Sequence, residues 1–71
     1  MIDLSELRRA VIEQIQSGKL ESKAIVEELN EPEADVNHVI RVLAGEDWFK
    51  IDDAIDNSLD IYDVKPGFKN L

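Results

Sequence analysis

Four carboxylates in the second half of the chain have a spacing that could bind a metal ion. Their positions match ligand positions of a calcium-binding loop: Asp52, Asp56, Asp60 and Asp63. However, Ala54 stands where a further ligand is needed, Asn57 replaces the turn glycine, and Asp63 is shorter than the bidentate Glu of such loops. We therefore expect solvated surface carboxylates and predict no metal site.

His38 is the only histidine, and general acid–base chemistry or metal binding needs partners that it lacks. The chain has no cysteine, which excludes a thiol nucleophile, a thiolate zinc site and a disulfide. The glycines at 18, 45 and 67 are too far apart for a phosphate-binding loop. We expect an exposed His38, no catalytic residues and no cofactor.

The charge balance is the strongest compositional signal. Sixteen acids oppose eight Lys and Arg, for a net charge of -8. Seven of these acids lie near the carboxyl end: Glu46, Asp47, Asp52, Asp53, Asp56, Asp60 and Asp63. Such a field repels phosphate and attracts basic surfaces, although acidity that serves only solubility remains an alternative.

A chain of 71 residues, 44% of them hydrophobic, predicts a single globular domain over residues 1–71. No apolar run approaches the roughly 20 residues of a membrane span, and the first residues lack the pattern of a signal peptide. We expect a soluble, cytoplasmic protein without membrane contact.

Helical periodicity predicts a first helix over residues 4–17, with Asp3 as its cap and Gly18 as its end. Ile12 either widens the buried face or contacts a partner. The main buried stripe is Leu4, Leu7, Val11 and Ile15.

Two shorter helices follow. We expect Leu20 to anchor in the core, Ser22 to cap helix 2, and Asn30 with Pro32 to separate the helices. Helix 3 starts either after Asp35 as cap or with Pro32 as its first residue. Its predicted buried face is Val36, Val39, Ile40 and Leu43.

From residue 47 the apolar period changes to two, which predicts a hairpin of strands 48–51 and 59–64 around a reversing loop at 56–58. Trp48 and Tyr62 alternate away from the apolar face, so they either form an outer aromatic patch for a partner or Trp48 packs over the end of helix 1 or 3. After Pro66–Gly67, Phe68 and Leu71 are expected to fold back onto the core.

These elements predict an α+β fold: a three-helix core containing a helix-turn-helix, followed by a two-stranded antiparallel β-hairpin. The order resembles the winged helix-turn-helix superfamily over nearly the whole chain. The resemblance is carried by SKAIVEELNEPEADVNHVIRVL at residues 22–43, by the hairpin that follows, and by the tail VKPGFKNL at residues 64–71.

The resemblance implies that helix 3 enters the DNA major groove and the wing contacts the backbone. Lys23 would touch phosphate, and residues 53–59 would form the wing tip. The outward residues of helix 3 would be Ala34, Asn37, His38 and Arg41. The chain departs from the pattern, because a DNA-binding wing normally carries Lys or Arg and this one carries Asp52, Asp53, Asp56 and Asp60. The entrance to helix 3 is also acidic, with Glu31, Glu33 and Asp35, and we expect it to meet a basic surface together with the wing.

We therefore predict a non-catalytic module that contacts a protein with a basic surface, in gene regulation or nucleic-acid processing, and masks a nucleic-acid-binding site there. The predicted contact residues are Trp48, Asp52, Asp53, Asp56, Asp60 and Tyr62, with Asn37, His38 and Arg41 on helix 3.

The alternative is a DNA-binding regulator that uses helix 3, acting as a homodimer through the Ile12 side of helix 1. The positions of the cations discriminate between the two functions. DNA binding is favoured if one face away from the acids gathers Lys19, Lys23, Arg41 and Lys50.

Overall fold

Three helices precede an antiparallel hairpin and a short 3-10 helix in the computed structural model, which describes residues 3–71. The helices are α1 (Leu4–Gln16), α2 (Ser22–Leu29) and α3 (Glu33–Gly45); the strands are β1 (Lys50–Asp53) and β2 (Leu59–Tyr62); the 3-10 helix is Pro66–Asn70. This is the predicted α+β layout of a small winged helix.

The ends of α1 are set by local hydrogen bonding. Asp3 Oδ1 accepts the Glu6 backbone N–H at 2.9 Å, and Gly18 turns the chain with a φ of 100°. Ile12 is only 4% exposed, so it widens the buried face of α1, and the homodimer stays a prediction. The predicted burial of Leu4 is wrong. Its side chain is 62% exposed, because it begins the helix at the rim of a surface groove beside α3.

The turn between α2 and α3 follows the prediction at Asn30, whose left-handed backbone (φ 54°) ends α2. Pro32 immediately precedes α3, so the earlier of the two predicted starts is nearly right. Ser22, however, does not cap α2. It is fully buried as the first helical residue, and its Oγ accepts the backbone N–H of Leu59 at 2.7 Å.

The hairpin pairs Ile51 with Ile61 and Asp52 with Asp60. Its inner face carries Ile51, Leu59 and Ile61 against the helices, while alternate residues face outward. β1 begins two residues later than predicted, and β2 ends at Tyr62 because Asp63 adopts a left-handed backbone (φ 53°) that breaks the strand. Leu20 is 40% exposed, so it is not the predicted core anchor; its carbonyl instead accepts the Ile61 N–H at 2.8 Å.

The carboxyl-terminal turn closes the core, as predicted. Phe68 is fully buried, with its ring edge-on to both Phe49 and Trp48 at centroid distances of 5.7 and 5.8 Å. Leu71 is partly buried against the same cluster. Together with the buried faces of α1, α2 and α3, this cluster holds the hairpin in one orientation relative to the helices.

Candidate functional site

Two of the predicted outward residues of α3 bind the hairpin. Asn37 and Arg41 lie one helical turn apart on the same face. Asn37 Nδ2 donates to the carbonyl of Asn57 at 2.9 Å, and Arg41 pairs with Asp53 at 3.0 Å. Asn37 Oδ1 is buried without a partner among the described residues, which reduces the net benefit of this amide. These two side chains therefore hold the wing in place.

His38 is exposed, as expected, in a groove between α1 and α3. The groove is lined by apolar Leu4 and Val42 and by Arg8, and within residues 3–71 no three His, Asp or Glu side chains converge as metal ligands. The guanidinium of Arg8 is bound by both carboxylate oxygens of Glu46, at 2.8 and 3.0 Å. Among residues 3–71, the side chains that line this groove with His38 include no Asp or Glu.

Half of the predicted acidic wing is neutralised internally. Asp53 pairs with Arg41, and Asp56 pairs with Lys23 at 3.5 Å. Asp56 also accepts hydrogen bonds from the hydroxyl and backbone N–H of Ser58, at 2.8 and 3.4 Å, which fix the hairpin tip. These bonds, with a smaller contribution from Lys23, hold the pKa of Asp56 below its ordinary value.

The other half, Asp52 and Asp60, remains unpaired. They are opposite each other in the sheet register, and Glu21 forms a further isolated bridge to Asp60. All three are exposed, and none has a cationic partner among residues 3–71. We call Glu21, Asp60 and Asp52 the carboxylate row. Like charges directly opposite in a sheet are destabilising, so the row weakens the fold that carries it.

A second set of unpaired acids surrounds the turn between α2 and α3. This acidic turn contains Glu27, Glu28, Glu31, Glu33 and Asp35. Glu33 and Asp35 also favour the amino end of α3 through its dipole, which is a structural reason for their presence. The sequence had already indicated free charge at Glu31, Glu33 and Asp35, whereas Glu27 and Glu28 were not predicted to contact a partner, although no Lys or Arg lies between residues 24 and 40.

The cations do not form a face of their own. Six salt bridges engage six of the eight Lys and Arg, including Lys23, Arg41 and Lys50, three of the four residues whose position decides between the functions. Six of the sixteen acids are thereby paired, which leaves ten unpaired acids and two unpaired lysines, Lys19 and Lys69, in the described part of the chain.

Two ion pairs brace the end of α3. The Arg8 hydrogen bonds lower the pKa of Glu46, and the Lys65 ammonium, 2.7 Å from Asp47, lowers the pKa of that carboxyl. Both pairs are exposed, so each contributes little to stability.

The aromatic patch predicted from Trp48 and Tyr62 does not form as an outer pair. Trp48 is partly buried, packs edge-on against Phe68 of the 3-10 helix and lies against the core, so it packs on the body of the protein. Tyr62 is 41% exposed and pairs with Lys50 in the sheet register. Its contact with a partner stays a prediction.

No family model, curated protein or solved structure matches this chain. None of the helices described for residues 3–71 has the length and apolar character needed to cross a bilayer. Inference about function therefore depends on the charge distribution and the contacts of this chain alone.

Proposed function

We propose that this chain is a non-catalytic winged-helix module that binds a basic protein surface, in gene regulation or nucleic-acid processing. The observation that supports this proposal is the imbalance of free charge: ten unpaired carboxylates against two unpaired lysines within residues 3–71. A basic partner can neutralise free carboxylates without first breaking an internal ion pair, so the carboxylate row and the acidic turn are its contact surface.

The carboxylate row gives this proposal a physical reason. Asp52 and Asp60 oppose each other across the strands with no cation between them, an arrangement that lowers stability. A lysine or arginine from a partner would relieve the repulsion and bind in the same step. In its sharper form, the proposal is that the partner's basic surface binds nucleic acid and that this chain masks it.

DNA binding through α3 is the alternative, and the layout supports it because winged helices commonly use their third helix in this way. Cations that neutralise phosphates supply essentially all of the non-specific affinity for DNA and much of the specific affinity. Here Arg41 and Lys23 are bound to Asp53 and Asp56, so DNA binding would first have to disrupt those pairs. The distribution of charge favours the protein partner.

The proposal is tested with two variants of equal net charge, after circular dichroism has shown that both are folded. One removes the carboxylate row, E21Q/D52N/D60N, and the other removes ion-paired acids, D53N/D56N/D63N. The probe is a fluorescein-labelled oligolysine peptide, followed by anisotropy. We expect the row variant to weaken binding by about three- to tenfold and the paired variant by less than about twofold. Equal weakening would show that only net charge matters and would overturn the assigned surface.

A further inference from the structure

One of the two unpaired lysines, Lys69, lines an apolar groove, and the other, Lys19, lies in the chain between two residues that line it, Gly18 and Leu20. The groove runs between the end of α1 and the 3-10 helix and has a volume of about 330 Å³. We call this region, with Leu20 and Val64 as its accessible apolar surface, the lysine groove.

The walls of the lysine groove are well fixed. Gln16 Nε2 donates to the Phe68 carbonyl at 2.9 Å, and the Leu20 carbonyl accepts the Ile61 N–H at 2.8 Å. The first bond joins α1 to the 3-10 helix, and the second joins the chain before α2 to β2 of the sheet. The side chain of Leu20 nevertheless remains 40% exposed. A ligand that covers it would therefore gain apolar contact without reordering the backbone.

Free ammonium groups make this groove different from every other cationic position in the described chain. The charges of Lys23 and Arg41 are already partly neutralised by an aspartate, whereas Lys19 and Lys69 have no such partner among residues 3–71. An anion is thus bound here at the lowest internal cost. Because apolar surface lies beside the lysines, a ligand that carries an apolar side chain next to its anionic group would gain apolar contact as well.

We propose that the lysine groove binds an acidic apolar peptide segment of a partner protein. An apolar side chain of the segment packs on Leu20 and Val64, and flanking carboxylates bind Lys69 and the nearby Lys19. This inference does not rest on the acidic-surface proposal, since it concerns a separate surface and a ligand of opposite charge. Both together make the molecule a connector between a basic and an acidic partner.

Two other classes of ligand fit the groove less well. Nucleic acid requires many phosphate contacts, and two lysines beside ten unpaired carboxylates supply too few. An anionic membrane gains only about 1 kcal/mol from each lysine near its surface, which two lysines do not convert into stable binding. A short segment with two or three carboxylates matches the number of cations present.

The probe is the peptide acetyl-Glu-Asp-Leu-Leu-Asp-Glu-amide, titrated into the ¹⁵N-labelled chain at about 50 mM salt. We expect the largest changes in amide chemical shift at Leu20, Val64, Phe68 and Lys69. K19Q/K69Q should weaken binding about five- to tenfold. Leu20→Ser should also weaken it, whereas a peptide with Gln and Asn in place of its acids should not bind.

The matched control is K50Q/K65Q, which removes the same charge from lysines that are already paired with Asp63 and Asp47. We expect it to change peptide affinity by less than about twofold. Equal weakening by both double variants, shifts at the groove of Leu4 and Val42, or no saturation at millimolar peptide would each overturn the proposal. So would tighter binding, through the same lysines, of an oligonucleotide or of vesicles containing phosphatidylglycerol.

Discussion

Aspartates at the edges and tip of the hairpin are ion-paired, whereas those on its outer face have no cationic partner in the described chain. Along the edges and tip, Asp53, Asp56 and Asp63 each bind a cation from α3, α2 or β1. On the outer face, Asp52 and Asp60 lie side by side with none in the described chain. In the first group, Asp53 and Asp56 link the wing to the helices and Asp63 is paired within the hairpin, whereas the second group is free charge. A count of acids in the sequence does not separate the two.

The comparison depends on the hairpin being held against the helices, and Phe68→Ala tests this with the largest expected effect. Removing a fully buried ring that contacts Phe49 and Trp48 should lower the free energy of unfolding by about 3–5 kcal/mol. Urea denaturation followed by circular dichroism measures it. Phe68→Leu should lose less; a loss below about 1 kcal/mol for the alanine variant would show that the turn is not part of the core.

Ser22→Ala removes the hydrogen bond between α2 and β2 and should have an intermediate effect on the free energy of unfolding. The backbone N–H of Leu59 would remain buried without the hydroxyl that now accepts it at 2.7 Å, at a cost of about 1–3 kcal/mol. The exposed Ser5→Ala serves as the control in the same urea series, with an expected change within about 0.5 kcal/mol. Equal changes in the two variants would contradict a structural role of Ser22.

Neutralising one carboxylate of each kind tests the comparison itself. Asp60→Asn should raise the urea midpoint slightly, because it removes repulsion across the strands. Asp53→Asn should lower the midpoint slightly or leave it unchanged, because it removes the ion pair with Arg41. Midpoint shifts of the same sign would mean that the paired and free acids are equivalent.

The smallest effect is a pH dependence at the pair that braces α3. Arg8 lowers the pKa of Glu46 in the folded state, so the stabilising contribution of the pair is complete above the unfolded value and is lost as pH falls through the folded one. The difference in unfolding free energy between the wild type and Glu46→Gln should therefore shrink between about pH 6 and pH 3. Arg8→Gln should give the same loss; a difference that is constant with pH would contradict the assignment.

The parts of the fold that depend on local sequence were predictable. Asp3, Gly18 and Asn30 set helix ends through their own backbone and near neighbours, and the buried face of α3 follows from helical spacing. The bounds of the strands were not predictable, because they depend on how the hairpin packs against the helices. The role of Ser22 was missed for the same reason: its partner Leu59 lies 37 positions away.

The candidate site was predicted only in part. Composition indicated an acidic surface, but ion pairs between residues far apart in sequence determine which acids are free. Arg41 and Asp53 are 12 positions apart, and Lys23 and Asp56 are 33. Trp48 resembled a surface aromatic because strand alternation places it outward, and its contact with Phe68 exists only once the 3-10 helix has folded back.

The most direct test of the central claim, that the acidic surface serves a protein partner and not DNA, is the fluorescence anisotropy of a labelled random duplex. This chain is titrated into the duplex at about 50 mM and then about 200 mM salt. We expect no saturable binding at either concentration, because most cations are paired and free carboxylates predominate. Saturable binding that weakens steeply with salt and is lost in Arg41→Gln would contradict the claim and make α3 a recognition helix.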